Sequence, residues 1–413
     1  MLGIVVVGGG QAGASLVAKL RENGYGGPLT LICGESVPPY QRPPLSKAYL
    51  KGEMDRERLF LRPASFYTDH DIDLRLGQWV TKIDPIRQIL DVNGETLPYT
   101  QLALATGASP RRLPAQIGGD LEHVYSVRSL ADIDAMAPQF VVGRKLLIVG
   151  GGYIGLEAAA VAAGLGLEVT LVESSPRILQ RVAAPETSDH LRALHLAQGV
   201  RLLEGTSVKQ LTGVGAVQGA VLTNGDHLQT DFVLVGVGVT PSTDLARTAG
   251  LTIDNGIQTD EQGRTSAPAI WAAGDCASFP HKGERIRLES VGHAIDHAEH
   301  IAANMLGANL PYVAKPWFWS DQHDVKLQIA GLNTGYDNVV TRQAGGCSTS
   351  IWYYRGNQLL AVDALNDPRA YMVAKRIIEA GHTIDRGLVN DQGTDLKTLL
   401  AAGLASGITT SRH

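Results

Sequence analysis

The sequence predicts an α/β fold with two nucleotide-binding βαβ units, followed by a smaller α+β domain. Three observations predict it. The apolar run Ile4-Val5-Val6-Val7 leads into Gly8-Gly9-Gly10-Gln11-Ala12-Gly13, and Leu146-Leu147-Ile148-Val149 leads into Gly150-Gly151-Gly152-Tyr153-Ile154-Gly155. Each reads G-x-G-x-x-G between a strand and a helix. An acid follows each at the expected interval, Glu35 after the first and Glu173 after the second. From Trp317 onward the pattern changes to short strand-like stretches followed by two helices. In each fingerprint the first glycine makes the tight turn and the second admits a pyrophosphate to the backbone. The third permits close helix–strand packing, and the acid accepts hydrogen bonds from a ribose. The helix N-terminus turns its free N–H groups toward the phosphates. Two complete units imply two dinucleotides on one polypeptide, the usual pairing being FAD with a nicotinamide.

The first βαβ unit occupies 4–35. A proline-rich loop, Pro38-Pro39-Tyr40-Gln41-Arg42-Pro43-Pro44-Leu45-Ser46-Lys47, follows it. Alternating strands are expected at 78–83, 89–92 and 96–98, then a strand ending in the turn Ala105-Thr106-Gly107. The second unit occupies 145–173. Further strands are expected at 200–203, 218–222 and 232–239, and another strand stops at Gly274-Asp275. A helix is expected over 292–306. The last segment predicts strands at 326–331, 350–354 and 358–362, then helices at 369–380 and 396–402. Residues 406–413 carry no periodicity and read as loose. The second nucleotide-binding domain reads as inserted into the first. The expected domains are 1–109 with 242–316 for FAD, 110–241 for NADH, and 317–413.

Composition excludes several classes. The chain has 413 residues, 44% hydrophobic and 19% charged, as in an ordinary globular protein. A net charge of −5 without a long basic run argues against general nucleic-acid binding. Cys33, Cys276 and Cys347 form no C-x-x-C or C-x4-C pair, which removes a dithiol centre and a disulfide framework. A reducing cytoplasm fits. The chain enters its first strand at once, leaving no room for a signal peptide. The apolar stretch 146–172 has the length of a membrane span, but Glu157 and Glu168 within it and its glycines favour a buried βαβ unit. His293, His297 and His300 share a predicted helix and read as a surface stripe, since no H-E-x-x-H and no further ligand accompanies them.

The narrower stretches are Arg42-Pro43-Pro44-Leu45-Ser46-Lys47 and Pro316-Trp317-Phe318-Trp319-Ser320-Asp321-Gln322, beside Ala105-Thr106-Gly107, Gly236-Val237-Gly238-Val239-Thr240-Pro241 and Arg287-Leu288-Glu289-Ser290-Val291. With the two fingerprints and Ala273-Gly274-Asp275, the whole chain resembles the FAD-dependent NADH–ferredoxin reductases that serve cytochrome P450 and ring-hydroxylating dioxygenase systems. The resemblance implies a glutathione-reductase-like pair of Rossmann-like domains plus a C-terminal α+β domain. It implies FAD, NADH and an acidic 2Fe–2S ferredoxin as partner, the terminal oxygenase being served indirectly. On the FAD side it implies Gly8, Gly10, Ala12, Gly13, Glu35, Arg42, Lys47, Val80, Ala105, Thr106, Gly107, Arg128, Gly274, Asp275, Glu289, Val291 and Trp319. On the NADH side it implies Gly150, Gly152, Tyr153, Ile154, Gly155, Glu173 and Gly238.

Disulfide- and peroxide-reducing relatives carry a redox cysteine in this region of the first domain, where this chain offers Leu45-Ser46-Lys47 and no cysteine. A lysine there can stabilise a reduced flavin, with Glu157 as its expected partner, because a buried charge needs one. Trp319 is expected near the flavin on the side facing the iron–sulfur protein. Lys47, Glu157 and Trp319 are therefore the expected catalytic residues. Glu173 favours NADH because a carboxylate repels a 2′-phosphate; Arg177, four residues on, weakens that reading. Expected docking cations are Lys326, Arg342, Arg355, Arg369, Lys375 and Arg376. Two other readings are an NADH oxidase-type flavoenzyme and a redox signalling flavoprotein similar to apoptosis-inducing factor.

Overall fold

The computed structural model describes residues 2–346 and 348–405. Cys347 and the 406–413 tail, both read above, lie outside the described residues. The chain divides into two compact units. The first comprises the chain up to Pro44, Gly52–Ser109 and Val239–Ala314. The second comprises Leu45–Lys51, Pro110–Gly238 and the chain from Lys315. The sequence division placed Leu45–Lys51 with the first nucleotide-binding domain, and 110–241 apart from the C-terminal domain. In the structure Leu45–Lys51, Pro110–Gly238 and the chain from Lys315 share the second unit, and Val239–Pro241 belongs to the first.

In the first unit, Ile4–Val7 is the middle strand of a five-stranded parallel sheet. Its neighbours are Leu29–Cys33 and Gln101–Leu104, with Ile72–Leu76 and Ile270–Ala272 at the edges. All four residues of Ile4–Val7 are buried: Ile4 and Val6 pack on the helices Gln11–Glu22 and Val291–Met305, and Val5 and Val7 on the other face against Ile83, Leu90 and Val92 of an antiparallel meander. The chain reverses direction across the sheet beside this strand, and its C-terminal end is where such sheets bind ligands. The helix Gln11–Glu22 buries Ala12, Leu16, Val17 and Leu20 against the sheet.

The second unit repeats this plan. Lys145–Val149 lies between Glu168–Glu173 and Phe232–Val235 in a parallel sheet completed by Arg201–Glu204 and Val124–Ser126. The register corresponds: Val7 pairs with Ile32 and Leu104, and Val149 with Val172 and Val235. The helix Tyr153–Gly164 is buried almost throughout. The same unit holds a five-stranded antiparallel sheet in the order Trp317–Gln322, Val325–Gly331, Gln358–Leu365, Ser348–Arg355 and Asn338–Gly345. The helix Pro368–Glu379 packs on it through Ala370, Val373, Ala374 and Ile377. No helix among the described residues is long and apolar enough to cross a membrane. The 146–172 stretch is the strand–helix–strand of the second sheet.

Candidate cofactor and electron-transfer site

The two glycine loops have matching geometry. Gly8 has φ +121°, and a Cβ there would meet the Ala105 carbonyl oxygen at 2.1 Å. A Cβ on Gly13 would meet the Gly8 carbonyl oxygen at 1.9 Å. Gly150 has φ +111°, and a Cβ on Gly155 would meet the Gly150 carbonyl oxygen at 2.1 Å. A Cβ on Gly10 or Gly152 would meet nothing within 4 Å. Both of these glycines cap their twelve-residue helices without a side-chain hydrogen bond. Each loop is thus closed at its first and third glycines and open at the second, with uncapped helix amides facing the opening. That shape and that donor set fit a pyrophosphate.

Around the first loop, Gly274 has φ +73°, and a Cβ on it would meet Ala12 Cβ at 2.9 Å. The Gly274-Asp275 turn therefore lies against the fingerprint helix. Arg287 donates to the Asp275 carbonyl at 3.1 Å and pairs with Glu289 at 2.5 Å. Thr106 donates to the Ser242 carbonyl at 2.7 Å, and Gly107 takes φ +68°. Glu35 accepts from Arg42 at 2.7 Å and from the Tyr40 hydroxyl at 2.5 Å. Val80 opens the strand Val80–Asp84, and Val291 opens the helix Val291–Met305. Trp79, not singled out from sequence, is 65% exposed. Its ring lies so close to Gly34 that a Cβ there would meet it at 2.7 Å.

Around the second loop, Glu173 accepts from the Gly151 and Ser175 backbone N–H groups, each at 2.7 Å. Arg177 donates to Ser188 Oγ at 2.5 Å and to the Ala183 carbonyl at 2.8 Å, which turns it to a structural task. Ile154 is exposed. The Tyr153 ring packs on Phe318 with centroids 4.9 Å apart. Gly238 has φ +95°, and its carbonyl accepts from the Arg111 N–H at 3.0 Å.

Lys47 sits at a kink inside the short segment Leu45–Tyr49, with a non-helical backbone, and its Nζ lies 3.0 Å from Glu157 Oε1. Glu157, only 8% exposed, projects from the second turn of the second fingerprint helix. Burial pushes its carboxyl up, while Lys47 and the Ser320 hydroxyl bring it down. Sequence reasoning missed a third charge, Asp321, 3.4 Å from Lys47. Asp321 lies in the Trp317–Gln322 stretch quoted above, where only Trp319 was singled out. Alternation along that strand puts Trp317 and Trp319 on one face, stacked with centroids 5.5 Å apart, and Phe318 on the other.

Two expectations change, the histidine stripe and the docking cations. His293 and His297 are buried, not a surface stripe. They stack with Phe279 and Tyr312, and His297 Nδ1 accepts the Gly274 N–H at 3.3 Å. Burial pushes His293 down to about 3 and lowers His297 well below the usual imidazole range. Among the described residues no group of three or more candidate ligands could hold a metal ion. Arg128 precedes the Ser129-capped helix Leu130–Met136 in the second unit, the unit that also holds Lys47 and Trp319. Of the docking cations, Arg342 is buried and holds the Val389 and Asp391 carbonyls, and Arg355 holds the Thr334 and Gly335 carbonyls. Lys326 lies 4.0 Å from Asp321, and Lys375 pairs with Glu379. Arg369 and Arg376 are exposed on one helix.

The family described as pyridine nucleotide-disulphide oxidoreductase matches residues 3–298, and a reductase C-terminal domain matches residues 317–400. The chain belongs to the pyridine nucleotide-disulphide oxidoreductases. It is 39% identical to rhodocoxin reductase of Rhodococcus erythropolis over 97% of this chain and 95% of that one. It is 38% identical to putidaredoxin reductase of Pseudomonas putida over 97% of each. The fold matches a crystal structure of the covalent putidaredoxin reductase–putidaredoxin complex with a TM-score of 0.94 at 37% identity, covering 98% of this chain and 99% of that one. Membership implies FAD and NAD(H) as cofactors, and the two open glycine loops fit two dinucleotides. The described cysteines, Cys33 and Cys276, are free and buried, and both lie in the first unit.

Proposed function

We infer that this chain is an NADH–ferredoxin reductase. Its proposed partner is an acidic 2Fe–2S ferredoxin that supplies a cytochrome P450 or a ring-hydroxylating dioxygenase. One observation carries the choice within the family. Where disulfide-reducing members use a cysteine, this chain has a lysine in a buried ion pair, Lys47–Glu157. A lysine cannot relay electrons to a disulfide, but its ammonium can stabilise negative charge on a reduced flavin.

When bound, FAD would supply hydride acceptance from NADH and one-electron release to the iron–sulfur partner. The proposed tasks of the chain follow from the site. Gly8, Gly10, Ala12 and Gly13 admit the FAD pyrophosphate to the backbone. Glu35 takes the adenosine ribose, with Arg42 beside it. Ala105, Thr106, Gly107, Gly274 and Asp275 line the ribityl side, and Val80, Arg128, Glu289 and Val291 complete the set. Gly150, Gly152 and Gly155 hold the NADH pyrophosphate, flanked by Tyr153, Ile154 and Gly238. Glu173 takes the NADH ribose, and NADH is preferred because Glu173 repels a 2′-phosphate while Arg177 is engaged elsewhere. Lys47 places a cation toward the flavin, and Glu157 and Asp321 pair with it and fix its position. Trp319 is proposed on the electron-exit side. The domain assignment stays as read: 1–109 with 242–316 for FAD, 110–241 for NADH, 317–413 for the partner side. A cytoplasmic location is part of this reading, supported by the free cysteines.

The test is steady-state turnover of the purified yellow protein with NADH or NADPH, coupled through a panel of 2Fe–2S ferredoxins to cytochrome c. Fast, ferredoxin-dependent turnover with NADH is expected. Slow turnover with every acceptor would favour the signalling reading instead.

A further inference from the structure

Glu157 stands at one end of a chain of buried polar groups. Alternation along Trp317–Gln322 puts Ser320 and Gln322 on the same face, and both are fully buried. Ser320 Oγ donates to Glu157 Oε1 at 2.8 Å. Gln322 Nε2 donates to Ser320 Oγ at 3.1 Å. Gln322 Oε1 lies 2.9 Å from Nε2 of His195, a 0% exposed residue in the last turn of the helix Pro185–Ala197. His195 Nδ1 lies 3.4 Å from Nε2 of the half-buried His323.

The direction of donation is fixed link by link. An ionised Glu157 only accepts, so the single Ser320 proton points at it. Ser320 Oγ must then accept from Gln322, which turns the amide nitrogen toward it and the amide oxygen toward His195. That oxygen needs a donor, so His195 carries its proton on Nε2. His195 Nδ1 is then the acceptor for His323. None of the polar side-chain atoms of Ser320, Gln322 or His195 is left without a partner in this arrangement. A half-turn of the Gln322 amide would set its oxygen against Ser320 and its nitrogen against the His195 donor. A buried polar chain of this kind is stable only when every member is satisfied.

We propose that His195 is a positioning residue for the Lys47–Glu157 pair: by donating from Nε2 it locks the Gln322 amide, so that Ser320 holds its hydroxyl proton on Glu157 and keeps that carboxylate ionised against Lys47. The chain orients and does not conduct, because an amide side chain is a poor proton carrier. The functional consequence rests on the role proposed above for Lys47 and Glu157. The other charged groups around the chain are in view. Lys47 and the Asp321 backbone N–H also favour the Glu157 carboxylate. The Asp321 carboxylate shares Lys47, with Lys326 beyond it. At the far end Asp324 acts on His323. Burial, with His323 adding to it, pushes His195 down to about 4 against the Gln322 hydrogen bond, so the ring is a neutral tautomer at pH 7.

Two measurements on the oxidised holoprotein test this. In the unmodified protein labelled with 15N-histidine, the NMR signals of His195 should report the Nε2–H tautomer at pH 7. An Nδ1–H tautomer overturns the proposal. An infrared titration, with Glu157→Gln as the blank that identifies the Glu157 band, then gives the pH at which this carboxyl protonates. Ser320→Ala and His195→Leu should each raise that pH by about one unit, a tenfold gain in proton affinity. The double variant should add little, since both act through one chain. His195→Gln retains an N–H donor and should restore the original value. A His195→Leu titration identical to the parent overturns the proposal, whatever Ser320→Ala does. The role of the pair is judged separately. If Lys47→Ala leaves flavin reduction by NADH unchanged, that role fails, while the infrared result still decides the place of His195.

Discussion

The two glycine loops share a backbone and differ in what surrounds their acids. In the first, Glu35 is held by a guanidinium and a phenol, Arg42 and Tyr40. In the second, Glu173 is held by two backbone N–H groups, and the nearby Arg177 is tied to Ser188 and Ala183. A carboxylate paired with arginine presents a neutralised, rigid edge to a ribose. A carboxylate held by amides keeps its full charge and repels a second phosphate. On the function proposed above, the same fold element would serve a resident dinucleotide in one unit and an exchanging, phosphate-discriminating one in the other.

The glycines give the strongest test. Gly13→Ala forces a Cβ onto the Gly8 carbonyl oxygen and should yield protein that purifies without flavin. Gly155→Ala places the same clash in the second loop and should yield yellow protein with NADH affinity weakened at least about 100-fold, roughly 2.7 kcal/mol. Absorbance at purification and an NADH titration separate the two outcomes. If each variant lost both cofactors, the division of labour would fail.

Lys47→Ala should slow flavin reduction by NADH roughly 10- to 100-fold, about 1.4–2.8 kcal/mol of barrier, while flavin content stays unchanged. Stopped-flow absorbance measures both. Next in size, Glu173→Gln should narrow the ratio of NADH to NADPH kcat/KM by about tenfold, roughly 1.4 kcal/mol. The matching change at the first acid, Glu35→Gln, should leave that ratio where it was.

Proton linkage should distinguish the units by sign. In the first, burial lowers His293 to about 3, below its unfolded value near 6.5. Its contribution is present above pH 6.5 and is lost as pH falls toward 3. In the second, burial raises Asp363 to about 6 despite hydrogen bonds from Tyr353 and Thr187, above an unfolded value near 3.8. Its contribution is present below pH 4 and is lost as pH rises through 6. Urea melts between pH 4.5 and 7.5 should therefore show the cost of His293→Asn shrinking toward acid. They should show Asp363→Asn faring best against the parent above pH 6. Pairs of parallel curves would contradict both assignments.

Local pattern made the nucleotide-binding units legible. A buried strand, three glycines, a helix and an acid lie within about thirty residues, and each requirement leaves a mark in sequence. The Lys47–Glu157 pair was readable only through the resemblance, since 110 positions separate the two residues. Asp321, Ser320, Gln322 and His195 escaped because nothing local marks a polar residue as a partner of a distant one. His195 also lies on a helix the sequence reading passed over, Pro185–Ala197. The burial of His293 and His297 had a trace: they fall on the face of their helix that carries Ala294, Ala298 and Ile301. Polarity outweighed that spacing in the reading.

The most direct test of the account is a two-step anaerobic stopped-flow experiment. One equivalent of NADH should bleach the flavin band. Mixing the reduced protein with two equivalents of an oxidised 2Fe–2S ferredoxin should restore that band as the ferredoxin spectrum reduces, two ferredoxins per flavin. A flavin reduced by NADH that then passes electrons to no ferredoxin, while reacting readily with oxygen, would contradict the account.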